Sequence, residues 1–88
     1  MKKTIEVTKS DIENGTRKCC FSCPIAQAIH RTWPDSITVA VGKTTFSLTL
    51  GGTRHTACLP AEAVDFISKF DAGLTLKPLS FSVSLQPV

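Results

Sequence analysis

The chain has 88 residues, of which 42% are hydrophobic and 19% are charged, and its formal net charge is +3. This length predicts a single domain, residues 1–88, whose core is too small for a deep substrate cavity, which favours a binding module over an enzyme. No apolar stretch approaches the roughly 20 residues of a membrane span, and the lysines and arginines are too scattered for the basic stripe of a duplex-binding protein.

The amino terminus lacks the pattern of a secretory leader. Met1-Lys2-Lys3 is basic, but an alternating segment follows it instead of an apolar run of about 7–15 residues. We therefore predict a cytoplasmic protein. In that reducing compartment, its four cysteines are expected to stay free thiols.

The first third of the chain predicts a strand and two helices. Residues 4–8 alternate between apolar and polar side chains, which is typical of a half-buried strand. Ser10 and Glu13 then stand in capping-box order and predict a short helical turn. A longer helix is predicted over 24–32, with Cys23 as its N-cap and a proline in its first position.

The middle of the chain predicts an antiparallel meander. Ile37, Val39 and Val41 alternate with polar or small residues and are expected to share one face of a strand. A glycine turn at Gly42 leads into a second strand over 46–50, and further glycines lead into a weaker third strand over 53–59.

The last third predicts a helix and a closing strand. Pro60 suits the first position of a helix whose apolar side chains recur at Val64, Ile67 and Phe70. Residues 79–85 then alternate strictly between apolar and polar. The order β-α-β-β-β-α-β predicts a small α+β domain, with a mostly antiparallel sheet and two helices packed on one of its faces.

Most of the chemically reactive side chains lie in one short segment, Cys19 to His30. A zinc site would have to combine Cys20, Cys23, His30 and Cys58, which is only half of a strong zinc signature. The helix rise would also separate Cys23 from His30 by roughly 10 Å. We therefore predict no cofactor, with Cys23 as a cap, Cys58 as a core side chain, and Cys19 and Cys20 as loop anchors; metal binding stays an alternative.

A redox function is not favoured by the sequence either. Cys20-x-x-Cys23 has the spacing of a redox dithiol, but Pro24 follows the second cysteine instead of lying between the two. The surrounding order of elements is also not that of a thioredoxin-like fold.

Anion binding at the start of the 24–32 helix is the preferred interpretation. The first amides of a helix are unsatisfied and lie at the positive end of its dipole, so a phosphate is favoured there. The candidate ligand-binding residues are Arg17, Lys18, Cys20, Cys23, Gln27, His30, Arg31 and Arg54. The alternative is that the basic residues among them are solvated surface charges.

Catalysis is not predicted. The seven acidic residues form no paired motif, and Cys23 and His30 are too far apart along one helix to act as a nucleophile and its base. We therefore predict that the chain is not an enzyme.

The chain resembles short accessory proteins of tailed phages and prophages. The resemblance rests on Ile5-x-Val7-Thr8-x-x-Asp11-Ile12-x-x-Gly15, on Cys20-x-x-Cys23-Pro24-Ile25-Ala26-x-Ala28-Ile29, on Leu59-Pro60-x-x-Ala63, on Phe66 and Phe70-Asp71, and on Leu79-x-Phe81. It covers the first third of the chain well and implies a viral protein that acts in the cytoplasm of a bacterial host. It brings no activity with it.

Three functional hypotheses follow. The first is a phage anti-defence protein that binds stoichiometrically and sequesters an anionic small molecule, such as a nucleotide signal, as a sponge. The second is an anti-CRISPR-like inhibitor that binds a host defence protein or nuclease through an exposed sheet edge or helix face. The third is a small zinc-binding or nucleic-acid-binding regulator. The sequence leaves open whether the chain forms a homo-oligomer.

Overall fold

A computed structural model describes residues 2–17, 19 and 21–88; Met1, Lys18 and Cys20 lie outside the described residues. The model confirms the predicted α+β class. In chain order the elements are β1 (Lys2–Val7), α1 (Lys9–Asn14), α2 (Pro24–Thr32), β2 (Ile37–Val41), β3 (Thr45–Leu50), β4 (Thr53–Cys58), α3 (Ala61–Asp71), β5 (Leu79–Ser84) and β6 (Gln86–Pro87).

All strand pairings are antiparallel, but the strands form two sheets. The small sheet pairs β1 with β5, with Ile5 opposite Phe81. The large sheet has the order β2-β3-β4-β6. The closing strand therefore passes from the small sheet to the large sheet at Leu85: its first part pairs with β1, and its end pairs with β4.

Both sheets and the helices share one core. The largest fully buried side chains come from β1, α2, β3 and the junction after β5, and they are Ile5, Val7, Pro24, Ile25, Ile29, Phe46, Leu48 and Leu85. The aromatic ring of Trp33, after α2, lies 6.3 Å from that of Phe46. The helix α2 thus connects the two sheets through its buried face.

The first helix begins earlier than the capping pattern of the sequence predicted. Thr8, not Ser10, is the N-cap: its hydroxyl accepts from the Asp11 amide at 3.2 Å, and its own amide donates to the Asp11 carboxylate at 2.8 Å. Thr8 directly follows β1, so the capping box with Asp11 also fixes the corner between strand and helix.

The predicted boundaries of α2 are confirmed, and so is Cys23 as its N-cap. The close packing of α1 against α2 depends on Gly15. A Cβ atom added to Gly15 would lie 2.5 Å from Cδ of Pro24 and 2.8 Å from the Pro24 nitrogen. Since φ at Gly15 is −72°, the glycine is needed there for space and not for its backbone conformation.

The prediction that Ile37 shares the buried face of β2 is wrong. Thr38 has a φ of 53°, and the register with β3 shifts between Ile37 and Ala40. This irregularity turns Ile37 to the outer face of the sheet, where it is 62% exposed, while Val39 and Val41 stay buried.

The buried face of α3 also differs from the prediction. Ala63, Phe66 and Phe70 are buried, whereas Val64 and Ile67 are only partly buried. Pro60 is the N-cap rather than the first helical residue, and its carbonyl accepts from the Ala63 and Val64 amides.

Candidate functional site

The start of α2 is buried, so it does not offer the exposed amides that the sequence predicted. Pro24, Ile25 and Ala26 are all buried. The Ala26 amide donates to the Cys23 sulfur at 3.4 Å, and the Gln27 amide donates to the Cys23 carbonyl at 3.1 Å. The Cys23 thiol thus takes the capping position that an anion would need.

Gln27 holds the cysteine-containing loop over this helix start. Its side-chain amide donates to the Asn14 carbonyl at 2.9 Å and to the Ser22 carbonyl at 3.3 Å. The Thr16 amide closes the loop with a bond of 2.8 Å to the Ser22 carbonyl. The side-chain amide of Gln27 is therefore used to hold the loop against α2.

His30 and Arg31 lie in the last turn of α2, at the opposite end from Cys23. Arg31 forms a two-pronged ion pair with Asp11, at 2.8 and 2.7 Å, and also donates to the Glu6 carbonyl at 2.6 Å. The hydrogen bonds from Arg31 hold the pKa of the Asp11 carboxyl below its usual value. Arg31 is thus engaged within the fold and does not extend the helix entrance.

The other predicted ligand-binding residues are also dispersed. The guanidinium of exposed Arg17 lies beside Gly73, after the end of α3, where an added Cβ would be 3.7 Å from its Cζ atom. Arg54 lies on the outer face of β4 and donates to the Ser47 hydroxyl at 3.3 Å. Lys18 and Cys20 were also predicted for this site, but they lie outside the described residues.

The fold does bring a second set of residues together around Cys23. An open cavity of about 260 Å³, called here the thiol cavity, lies between the cysteine loop, the turn after β2 and the end of α3. Its lining consists of Cys19, Cys23, Val41, Gly42, Lys43, Ile67 and Asp71. Nothing in the sequence indicated that Lys43 or Asp71 lies beside the cysteines, because both residues are distant from them along the chain.

The two thiols of this cavity differ in their surroundings. Hydrogen bonds from the Phe21 amide and from Ser22 lower the pKa of the partly exposed Cys19 thiol. Burial raises the pKa of the Cys23 thiol, and the charges of Asp71 and Cys19 add to that effect. Cys19 is therefore the thiol that ionises more readily.

Three of the four predicted zinc ligands, Cys23, His30 and Cys58, lie among the described residues and form no metal site there, while Cys20 lies outside these residues. Cys58 is exposed on β4, which corrects the prediction that it is a core side chain. Within residues 2–17, 19 and 21–88, no group of three or more histidine, cysteine, aspartate or glutamate side chains is placed to hold a metal ion.

The outer face of the large sheet was not predicted from the sequence. Ile37 pairs with Thr49, Thr49 pairs with Arg54, and the Val88 amide donates to the Arg54 carbonyl at 2.9 Å. Paired residues of neighbouring strands project to the same face. These four side chains therefore form one row across the sheet, called here the outer row, in which Ile37 is 62% and Val88 80% exposed.

The rest of the outer face is uncharged and rich in hydroxyl groups. Thr45, Ser47 and Thr56 lie beside the outer row, next to Ala40 and Gln86. The described residues that pair on this face include no aspartate or glutamate. The strict alternation of residues 45–49 was the available signal, because it assigns every second residue of β3 to a polar face.

Comparison with known proteins places the chain in no family: no family model matches it, and neither does any curated protein or solved structure. None of the helices in the described part of the chain has the length and apolar character needed to cross a membrane.

Proposed function

We propose that the chain is a small binding protein that acts stoichiometrically, and that the outer face of its large sheet is the contact surface. The observation that carries this proposal is the outer row, in which an exposed isoleucine and an exposed valine lie on either side of an arginine. Ile37 and Val88 lie at the two ends of this row, with Thr49 and Arg54 between them, so a partner that covers the row would bury both aliphatic side chains together with the arginine.

The chemistry of this face favours a protein partner. Arginine is enriched among the residues that dominate the binding energy of protein interfaces, and the fully buried core of an interface is more apolar than its rim. Burying an isoleucine or a valine fully contributes about 1.5–3 kcal/mol. Arg54 adds a cation on a face without described acidic residues, so we expect the partner to present a carboxylate between apolar side chains.

A phosphorylated nucleotide is less well supported as the ligand. Its predicted site depended on free amides at the start of α2, and those positions are buried and capped by Cys23. Of the predicted cations, Arg31 is paired with Asp11 at 2.7 Å, and Arg54 lies on a different surface.

The biological setting of the proposal comes from the resemblance to phage accessory proteins. A small phage protein that binds a host protein stoichiometrically is suited to block a defence effector or nuclease. We therefore propose an anti-defence inhibitor that works in the bacterial cytoplasm without catalysing a reaction.

A capture experiment with matched variants tests this proposal. The immobilised chain is incubated with bacterial lysate, alongside Arg54→Glu and Ile37→Ser. Lys77→Glu makes the same charge change at an exposed position outside the large sheet, and Leu74→Ser removes an exposed apolar side chain after α3. We expect one protein to be retained by the wild type and both controls, and lost from the two outer-row variants. Equal retention by all five chains would count against the outer face.

Thermal unfolding with a panel of cyclic and linear nucleotides tests the competing hypothesis. A ligand that binds only the folded chain raises the melting temperature by mass action. We expect no shift. A shift that persists in Arg54→Glu but disappears in Arg17→Ala would place a nucleotide near the cysteine loop and would overturn our choice of partner.

A further inference from the structure

The thiol cavity contains two cysteines that are four positions apart in the chain and differ in accessibility. Cys19 lies in the loop and is partly exposed, whereas Cys23 is 6% exposed at the helix start. The bonds of Gln27 and Thr16 to the Ser22 carbonyl hold the loop that carries Cys19 against α2. Solvent therefore reaches the Cys19 thiol more readily than the Cys23 thiol, although both residues line the same cavity.

The local hydrogen bonds give the two sulfurs different chemical roles. The Phe21 amide and Ser22 donate to Cys19 and stabilise its thiolate, which is the attacking form in thiol–disulfide exchange. The Cys23 sulfur accepts the Ala26 amide at 3.4 Å, which favours its thiolate, but burial outweighs this bond and raises the pKa of the thiol, so Cys23 stays protonated to higher pH. Lys43 and Asp71, which carry opposite charges, also line the cavity.

We propose that Cys19 and Cys23 form a redox-sensitive pair, which a small-molecule disulfide converts into an intramolecular Cys19–Cys23 disulfide. This proposal does not depend on the proposed function. It is consistent with a reducing compartment, where protein disulfides are usually transient and redox-sensing.

The reaction has two exchange steps. The Cys19 thiolate attacks one sulfur of the small disulfide, a bond forms between them, and the bond to the second sulfur breaks. The thiolate that leaves takes up the proton that Cys19 lost. Cys23 then gives up its proton and attacks the Cys19 sulfur, which releases the second small thiolate to be protonated. The protein pair loses two electrons, and the small disulfide gains them.

Oxidised glutathione is a suitable probe, and the double variant Cys20→Ser/Cys58→Ser leaves only the proposed pair. We expect this variant to lose both titratable thiols and to carry no glutathione by intact mass. Adding Cys23→Ser should trap glutathione on Cys19, and a serine hydroxyl can still cap α2. Adding Cys19→Ser instead should leave the Cys23 thiol unmodified. The fluorescence of Trp33, which is 4% exposed, reports whether each variant is folded.

Peptide mapping of the oxidised wild-type chain completes the test, and it does not depend on how the variants fold. We expect the Cys19–Cys23 bond as the main intramolecular product, with exposed Cys58 carrying glutathione only. A Cys20–Cys23 bond as the main product, persistence of both thiols in the double variant, or equal modification of Cys23 with and without Cys19 would each overturn the proposal.

Discussion

The carboxylate of Asp11 joins three elements of the fold. It accepts the Thr8 amide where β1 passes into α1, and it pairs with Arg31 from α2, whose guanidinium also reaches the Glu6 carbonyl in β1. The Asp11 residue is 4% exposed, so these bonds compensate for the hydration that the carboxylate loses on folding.

Replacing Asp11 should therefore remove a contribution to the free energy of unfolding that is present near neutral pH and lost in acid. The folded state lowers the pKa of Asp11, so its stabilising contribution is complete above the unfolded value of about 4 and is lost as the pH falls through the lower folded value. We expect Asp11→Asn to lower the free energy of unfolding by about 2 kcal/mol near neutral pH, and by less at acidic pH. Urea unfolding across this pH range measures the difference.

Asp35→Asn is the control for that experiment, because Asp35 is exposed and has no hydrogen bond or ion pair in the described part of the chain. Its effect should stay within about 0.5 kcal/mol. If the decrease in the free energy of unfolding caused by Asp11→Asn does not change with pH, the charge of Asp11 is not what stabilises the fold.

Gly15 allows its own backbone to lie in close contact with the ring of Pro24. In Gly15→Ala the new methyl group would meet Pro24 at 2.5 Å, so we expect a loss of about 1–3 kcal/mol as the two helices move apart. A thermodynamic cycle with Pro24→Ala, which removes the nearest ring atoms, checks the cause. The cost of Gly15→Ala should be smaller in that background, with a remainder from the backbone nitrogen of residue 24, which would lie 2.8 Å from the new methyl group; equal costs would show that the proline ring is not the reason.

At the level of elements, the irregularity in β2 creates the outer row. Because Thr38 adopts a positive φ, the residue before it changes face, and Ile37 becomes available to a partner instead of entering the core. A β-branched residue is unfavourable in this conformation, so the strand carries local strain next to the proposed contact surface.

Thr38→Asn should relieve that strain, because asparagine tolerates the left-handed region better than threonine does. We expect a gain of about 1 kcal/mol in the free energy of unfolding. Thr45→Asn is the matched control in the adjacent strand, where asparagine should be neutral or destabilising. A loss of stability in Thr38→Asn would show that the threonine side chain makes a compensating contact.

At the level of the whole molecule, the pairing of β1 with β5 closes the fold. It joins segments near the two ends of the described chain, and their side chains Ile5, Val7, Phe81 and Val83 enter the common core. The free energy of unfolding of a small domain is only about 5–15 kcal/mol, so we expect the stability of the large sheet to depend on the small one.

Phe81→Ala should test this dependence. Emptying a buried phenylalanine site costs about 3–5 kcal/mol, so we expect the whole domain to unfold at a markedly lower urea concentration in one transition. Leu74→Ala, at a site that is 56% exposed, should change the midpoint little. Separate transitions for the region around Trp33 and for the remaining secondary structure would show that the two sheets are stable independently.

The sequence could predict the features that depend on neighbouring residues. The start and the end of α2 follow from Cys23, Pro24 and helical periodicity, all of which act within a few positions. The α+β class follows from the alternation of strand and helix patterns along the chain. Such predictions hold because local backbone preferences do not depend on which distant segment a residue packs against.

Features that depend on residues far apart in the chain could not be predicted from the sequence. The pairing of Arg31 with Asp11 removed a predicted ligand residue, and the irregularity at Thr38 moved Ile37 to the outer face, although the period-two pattern assumes a regular strand. The thiol cavity likewise needed Lys43 and Asp71 from separate elements. Local residue signals are enough to predict the helix that follows the Cys23 cap, whereas chain packing closes the entrance of that helix, because burial and long-range pairing are properties of the folded molecule.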